Sequence, residues 1–272
     1  MAIRWPSGKR LLVLVNVVLE GWSEQGAPGI GPMGNPLRPG VRDTQAVSWA
    51  EYGPRCGMPR LLRILDEAQV RATVLTSGVI AERYPRLVRE ISQAGHELCG
   101  HSMAQDIVPA YLTEAEEREN IRRSVEVLAD AAGERPVGWC SPRGTPSSRT
   151  AELLVEYGFQ WTGDVFDADL PYWLTTDKGR LAAIPFTMEV NDMPLYVRYG
   201  NAPQTYLQVL RRIVEGWYEP NPEEMGCLDV TVHAHVFGRP YGAVEYRDAL
   251  RFLRSKPWIW CATHREVVQA MQ

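Results

Sequence analysis

The sequence predicts an α/β protein, folded as a single distorted (β/α) barrel of about seven parallel strands. Two observations predict it. Short apolar runs alternate with stretches of helical spacing along the whole chain, giving roughly seven β-then-α units. Such alternation implies parallel strands joined by right-handed crossovers. A doubly wound sheet is the rival, but it usually opens with a glycine-rich phosphate-binding turn, and the sequence has none.

Size and composition favour one globular domain over residues 1–272. The chain is 45% apolar, which is ample for a sizeable core. The net charge is −4 with no basic cluster, so nucleic-acid binding is disfavoured. The five cysteines are odd in number and form no CxxC pair, so we expect reduced thiols and a cytoplasmic protein. No run of 18 apolar residues could span a membrane.

The first half of the chain supplies three predicted strands and three predicted helices. The strands cover residues 11–19, 72–76 and 96–100, and the helices cover residues 57–68, 80–94 and 113–132. Thr113 and Glu116 form a capping box at the start of the third helix, and Gly133 ends it. Residues 20–47 are rich in glycine and proline. A loop of this length in a compact domain is usually functional.

The second half continues the alternation without a repeat or a linker. Its predicted strands cover residues 137–140, 159–162, 182–185, 188–190, 228–234 and 258–262. Its predicted helices cover residues 148–157, 202–218, 246–256 and 264–271. His264 begins the last of these helices, and we expect it to be a cap or a surface residue.

Chemically useful side chains follow the predicted strands, and a parallel barrel builds its site at those carboxyl ends. Together they offer a base for water, an acid for a leaving nitrogen and a cation near an oxyanion, which suits hydrolysis of a C–N bond. The predicted catalytic residues are Glu20, His101 and His233. The predicted substrate-binding residues are Arg143, His235, Asp164, Trp173 and Arg239.

Several of these residues have a structural alternative. Glu20 could be a solvated loop carboxylate, Arg239 could only pin a loop, and Trp173 could be a core or wall residue. Whether Glu20 or His101 activates the water stays open at this stage. We expect Arg143 and His233 to polarise the carbonyl and an imidazolium to return the proton to nitrogen.

The motifs around these residues resemble the polysaccharide deacetylase superfamily, also called the NodB-homology or carbohydrate esterase 4 fold. The resemblance covers most of the chain and is carried by residues 15–21, 52–57, 95–102, 139–144, 167–173, 184–187, 191–192 and 233–240. The pieces at 169–173, 191–192 and 238–240 resemble the branch that contains cofactor-free allantoinases and cyclic imidases.

The resemblance implies a distorted barrel, often seven-stranded, that hydrolyses non-peptide C–N bonds in N-acetyl sugars or in small ureides and imides. Typical deacetylases hold one divalent metal between an aspartate after strand one and two histidines in a His-x-x-x-His pattern. In this chain Gln105 stands four residues after His101, and Asp106 follows it. The strand-one aspartate is replaced within residues 17–20. The usual catalytic arginine position holds Cys140, with Arg143 three residues further on.

These departures favour a hydrolase of a small amide, cyclic imide or ureide that needs no cofactor. The first alternative is a metal-dependent N-deacetylase with a divalent metal such as zinc, held by Glu20, His101 and Asp106. The second is a catalytically inactive relative that binds a small molecule or carbohydrate. The expected partners are a small-molecule substrate and, because relatives in this branch are often multimers, further copies of the chain. Trp22, Met33 and Asn35 in the first loop suggest a closed pocket.

Overall fold

The computed structural model describes residues 3, 5–24, 26–29, 31, 37–38 and 40–271, and its centre is one curled sheet. The ten strands of the sheet are β1 Leu11–Leu19, β2 Thr73–Thr76, β3 Glu97–Gly100, β4 Gly138–Trp139, β5 Trp161–Thr162, β6 Tyr172–Thr176, β7 Gly179–Ala183, β8 Val190–Asn191, β9 Gly226–His233 and β10 Ile259–Ala262. The α-helices are α1 Thr44–Tyr52, α2 Met58–Ala68, α3 Gly78–Arg83, α4 Pro85–Gln93, α5 Glu114–Ala132, α6 Thr150–Glu156, α7 Thr205–Ile213, α8 Pro240–Arg254 and α9 His264–Ala270.

The strand order is β6-β7-β5-β4-β3-β2-β1-β9-β8, and β10 pairs with the first part of β1. Every pairing is parallel except β6 with β7. The distorted (β/α) barrel is therefore confirmed, with more strands than the sequence predicts. The additional edge strand β6 is only partly buried, and its apolar run of three residues, Tyr172 to Leu174, is too short to predict a strand. The strand predicted over residues 182–185 forms three residues earlier, as β7 Gly179–Ala183. The strand predicted over residues 188–190 forms as β8 Val190–Asn191.

Alternating side chains on β1 face two different environments. Leu12, Leu14 and Val18 pack inside the curled sheet with Cys99 of β3 and Cys227 of β9. The residues between them pack outward against the helices. Successive side chains of a strand point to opposite faces. Positions an even number of residues after Val18, Cys99 and Cys227 therefore also face inward. Those positions include Glu20, His101 and His233.

The predicted helix over residues 80–94 is two helices in the structure. Pro85 has no backbone N–H to donate, and the residue before a proline is disfavoured in helical geometry. Tyr84 accordingly adopts φ −132° and ψ 51°, which separates α3 from α4. By contrast, the capping box of Thr113 and Glu116 at the start of α5 is confirmed.

Two other predictions about helices need correction. The predicted helix over residues 202–218 begins later, at Thr205, and its last part, Val214–Tyr218, is π-helical. His264 is fully buried instead of lying at the surface, and its ring stacks on Trp161 with 4.1 Å between ring centroids. Among the described residues, no helix is both long and apolar enough to cross a bilayer.

The chain after β9 packs against the start of α2 through two glycines. A Cβ atom at Gly238 would lie 2.0 Å from the carbonyl oxygen of Ala234 and 2.6 Å from the Cα of Gly57. Both neighbours are backbone atoms, so neither can move aside without a shift of the main chain. This contact holds the segment that carries His235 against the helical layer.

We expect Gly238→Ala to lower the free energy of unfolding by about 1–3 kcal/mol, since overpacking forces the backbone apart. Urea unfolding of the variant measures the change. Gly216→Ala is the matched control, because a Cβ there meets only the flexible side chain of Arg212, at 3.4 Å. Equal stability of the two variants would contradict the packing argument.

Candidate active site

A cavity of about 600 Å³ opens at the carboxyl ends of the strands. Six predicted site residues line it together: Glu20, His101, Arg143, Asp164, His233 and His235. The cavity wall is otherwise largely apolar and aromatic, and includes Trp22, Trp49, Tyr111, Phe166, Phe186, Met188 and Met193. The tertiary fold thus brings together side chains from both ends of the chain, as a site built from strand ends requires.

Glu20 lies between two imidazoles at the bottom of this cavity. Its Oε1 is 3.7 Å from Nε2 of His233, and its Oε2 is 3.7 Å from Nε2 of His235. Only 5% of the residue is exposed. Burial disfavours the charged form and raises the pKa of Glu20 to about 7, although the neighbouring His233 acts in the opposite direction. The predicted alternative of a solvated loop carboxylate is therefore wrong.

His233 is held by Asp192. The ring Nδ1 donates to Oδ1 of Asp192 at 2.6 Å, and Oδ2 of Asp192 accepts from the backbone N–H groups of His233 and Phe237. Burial opposes charging of the ring, but Asp192 and Glu20 outweigh burial and raise the pKa of His233 above its ordinary value. The carboxylate thus fixes both the orientation and the protonation of this imidazole.

His101 is a neutral ring with one free nitrogen. Its Nδ1 lies 2.7 Å from the carbonyl oxygen of Cys140, and because a carbonyl only accepts, Nδ1 carries the proton. The buried Nε2 has no hydrogen-bond partner among the described residues. Burial lowers the pKa of His101 to about 4, more than the hydrogen bond to Cys140 raises it. His101 therefore has an unprotonated Nε2, with Gln105 nearby, at the wall of the cavity.

His235 is the second imidazole beside Glu20, and it stays uncharged. Burial is the main cause that lowers its pKa, and the positive charges of His233 and Arg239 add to it. The ring meets Trp22 and Trp49 edge-on, with centroid distances of 5.6 and 4.5 Å. The two indoles form an apolar wall of the cavity beside this imidazole.

Arg143 and Asp164 come from the loops after β4 and β5, and they differ in exposure. The carboxylate of Asp164 accepts from the N–H and the hydroxyl of Ser141 at 2.7 and 2.6 Å, so it ties the two loops together. Burial raises the pKa of Asp164 to about 6. Arg143 is exposed at the rim, and its backbone has φ 61° and ψ 14°, a left-handed conformation.

Trp173 and Arg239 are not among the described residues that line the cavity. Trp173 lies on the edge strand β6, where it packs against the interior cluster of the sheet with the guanidinium of Arg180 above its ring. Arg239 donates to the carbonyl of His235 at 3.2 Å and lies over the ring of Tyr52. Neither residue lines the cavity, so their binding of substrate stays a prediction, and the contacts of Arg239 match the loop-pinning alternative.

The alternative metal set of Glu20, His101 and Asp106 is not assembled. Asp106 accepts from the backbone N–H of Ser23 at 2.8 Å and from the Ser23 hydroxyl, which holds its carboxylate at the first loop. Within the described parts of the chain, no three His, Cys, Asp or Glu side chains are placed to hold a metal ion. A catalytic zinc site needs three protein ligands, so the described residues do not fit that metal.

Sequence reasoning did not assign several residues that shape the site. Asp192 had a signal, because the Asn191-Asp192 pair is one of the motifs that carried the family resemblance. Trp49 lies on α1, which begins at Thr44, so the last residues of the predicted loop over 20–47 are helical. Arg198 ends a π-helical segment, Met193–Arg198, and both side chains belong to residues that line the cavity. Neither had a signal. Met33 and Asn35, expected near the pocket, lie outside the described residues, whereas Trp22 lines the cavity.

Comparison with known proteins shows which family this chain resembles. The sequence model of the polysaccharide deacetylase family matches residues 45–162. A Schizosaccharomyces pombe protein assigned to the polysaccharide deacetylases is 29% identical over 259 residues, which cover 88% of this chain and 80% of that protein. A peptidoglycan deacetylase of Helicobacter pylori is 27% identical over 147 residues, which are 54% of this chain and 50% of that protein.

Solved structures agree in fold over nearly the whole chain. The structure of PuuE allantoinase matches with a TM-score of 0.88 at 26% identity, covering 98% of this chain and 92% of that one. A probable polysaccharide deacetylase from Pseudomonas aeruginosa PAO1 matches with a TM-score of 0.87 at 28% identity and the same coverage. The class of protein is thus a hydrolase acting on carbon–nitrogen bonds other than peptide bonds. The chain is similar in sequence to the polysaccharide deacetylase superfamily and has the NodB-type fold.

Proposed function

We propose that this protein hydrolyses the C–N bond of a small amide, cyclic imide or ureide without a metal ion. The observation that carries the proposal is the buried carboxylate of Glu20, with a pKa of about 7, between His233 and His235. A general base works best when its pKa lies near the operating pH. The likeness to PuuE allantoinase supports the reaction class.

Glu20 is the better candidate for the general base. At neutral pH a group with a pKa of about 7 is present in both forms, so it can take a proton from water and give it back. The pKa of His101 is about 4, which makes its ring a weak base. The free Nε2 of His101 is suited instead to accept a hydrogen bond from the attacking water or from the substrate N–H.

The proposed reaction has two steps. Glu20 removes a proton from water as the oxygen attacks the carbonyl carbon, and the carbonyl oxygen becomes an oxyanion beside the His233 imidazolium. The protonated Glu20 then donates its proton to the nitrogen, the C–N bond breaks, and the oxyanion collapses to the acid product. His233 keeps its proton throughout because Asp192 and Glu20 raise its pKa. We assign Arg143, which lies exposed at the rim, to substrate binding.

The cavity supports a small substrate. A volume of about 600 Å³ lies within the range of small-molecule pockets. Its wall combines many apolar and aromatic side chains with a few polar groups, the usual composition of a site that binds one small ligand. We also propose that the protein acts in the cytoplasm and assembles as a homo-oligomer, as the sequence predicts.

The decisive experiment pairs metal analysis with a turnover screen. We expect purified protein to hydrolyse at least one small amide, cyclic imide or ureide, and to keep its kcat after treatment with EDTA. Metal content measured on the same sample should not track activity. Loss of turnover on chelation, with recovery on added zinc, would contradict the proposal.

That contrary result defines the second candidate, a metal-dependent N-deacetylase. The match to the polysaccharide deacetylase family model favours it. So does His101, because a ligating histidine usually donates its other ring N–H to a carbonyl or carboxylate, as Nδ1 does here to Cys140. Against it, the carboxylate of Asp106 is held by Ser23. N-acetyl sugars in the same screen distinguish the two candidates.

A further inference from the structure

We propose that the substrate of this site carries an anionic group, a carboxylate or its equivalent, which Arg143 and Arg198 bind at the mouth of the cavity. The inference rests on the proposed function, since it names the class of small amide that the same site accepts. Both arginines are among the residues that line the cavity containing Glu20 and His233, and both are exposed. Three steps support it.

First, each carboxylate that lines the cavity already has a protein partner. Glu20 lies between the two imidazoles. Asp106 accepts from Ser23, and Asp164 accepts from Ser141. None of the three forms an ion pair with Arg143 or Arg198, so both guanidinium groups remain open to an anionic group of a ligand.

Second, neither arginine makes a side-chain ion pair or hydrogen bond with the described residues, whereas twelve other arginines and lysines among those residues do form ion pairs. The positions outside the description, 1, 2, 4, 25, 30, 32–36, 39 and 272, include no Asp or Glu. The chain therefore supplies no carboxylate side chain for either group from any part of the sequence. A bidentate carboxylate is the partner that guanidinium geometry favours.

Third, the backbone at Arg143 favours a different residue. Its φ of 61° lies in the left-handed region, where glycine fits without the cost that other residues pay. The following Gly144 has φ 59°, and a Cβ there would lie 2.7 Å from the ring of Phe166. The turn is thus held in place by packing. An arginine is unfavourable in this left-handed backbone conformation. We therefore infer that position 143 holds an arginine for its guanidinium group, not for its backbone.

Arg198 reaches the cavity from another wall. It ends the π-helical segment Met193–Arg198, whose first two residues, Met193 and Pro194, also line the cavity. Arg198 is near enough to His233 for its charge to oppose protonation of that ring. An anion bound at Arg198 therefore sits close to the reacting centre, which limits the substrate to a short molecule.

The test uses a matched pair of probes that differ in one charge, succinamate and succinamide. Binding is measured by calorimetry on Glu20→Gln protein, so that hydrolysis does not interfere. We expect succinamate to bind at least tenfold more tightly than succinamide at low ionic strength. That preference should fall about tenfold in Arg198→Gln and in Arg143→Asn, because asparagine tolerates the left-handed backbone.

The matched control is Arg122→Gln on α5, an arginine paired on the surface with Glu119 and Glu126. Its preference for succinamate should equal that of the parent protein. Equal affinity for both probes, no detectable binding of either probe at millimolar concentration, or a preference that survives both cavity substitutions would overturn the inference.

The outcome also separates this inference from the proposed function. Turnover of neutral amides alone by the wild-type protein would retain the proposed hydrolysis and reject the anionic substrate. Selective binding of succinamate without turnover of any amide, imide or ureide would retain the anion site and reject the proposed hydrolysis.

Discussion

Glu20→Gln is expected to lower kcat at pH 7 by about 10²–10⁴-fold, the usual contribution of a general acid–base group. Glutamine keeps the size of the side chain but cannot take a proton from water. The measurement is steady-state turnover of the best substrate from the amide and imide screen. Glu126→Gln, on the exposed surface of α5, is the matched control and should leave turnover unchanged.

The same substitution should stabilise the protein at alkaline pH. Glu20 has a pKa of about 7 in the folded state against an ordinary 4.5, so its burial favours the protonated form. The stability linked to that proton is fully present below pH 4.5 and is lost as pH rises through 7. Above pH 7 the folded wild-type protein must bury an ionised carboxylate, and Glu20→Gln removes this free-energy penalty, on the order of 2–4 kcal/mol.

Urea unfolding at pH 5 and pH 8 checks that sign. Wild-type protein should lose stability relative to Glu20→Gln between these two values. A variant that is inactive and also less stable at pH 8 would mean that Glu20 acts as a structural group, and the proposed role as general base would fail.

Asp192→Asn is expected to lower kcat by about 10²–10³-fold, the cost of losing an oxyanion donor. Asp192 is a positioning residue that acts through His233, because its carboxylate raises the pKa of that ring. Without the negative charge, burial lowers the pKa of the imidazole and the ring becomes neutral at pH 7.

The pH profile of kcat separates this role from a purely structural one. Wild-type activity should rise as Glu20 loses its proton near pH 7 and fall as His233 loses its proton at higher pH. The two groups lie 3.7 Å apart, so the apparent values belong to the pair. Asp192→Asn should move the alkaline limb to lower pH. Low turnover with an unmoved alkaline limb would contradict the role assigned to Asp192.

Much of the fold could be predicted because it depends on local periodicity. The Val/Leu run of β1 and the capping box of α5 are properties of neighbouring residues, and both form as expected. The break at Pro85 was missed because the apolar spacing of a helix continues across the proline. The edge strand β6 was missed because a partly buried edge strand needs no long apolar run. Residues placed directly after strands, Glu20 and His101 among them, do line one cavity.

By itself, the sequence determined the alternation of strands and helices, and with it the edge of the sheet at which polar side chains would gather. Only the tertiary structure decided which of them meet. It paired His233 with Asp192 across 41 residues, bound Asp106 to Ser23, and left Trp173 and Arg239 outside the cavity. The reason is physical: strand periodicity sets the face on which a side chain lies, whereas its partner and its pKa depend on burial and on charges brought near by distant segments.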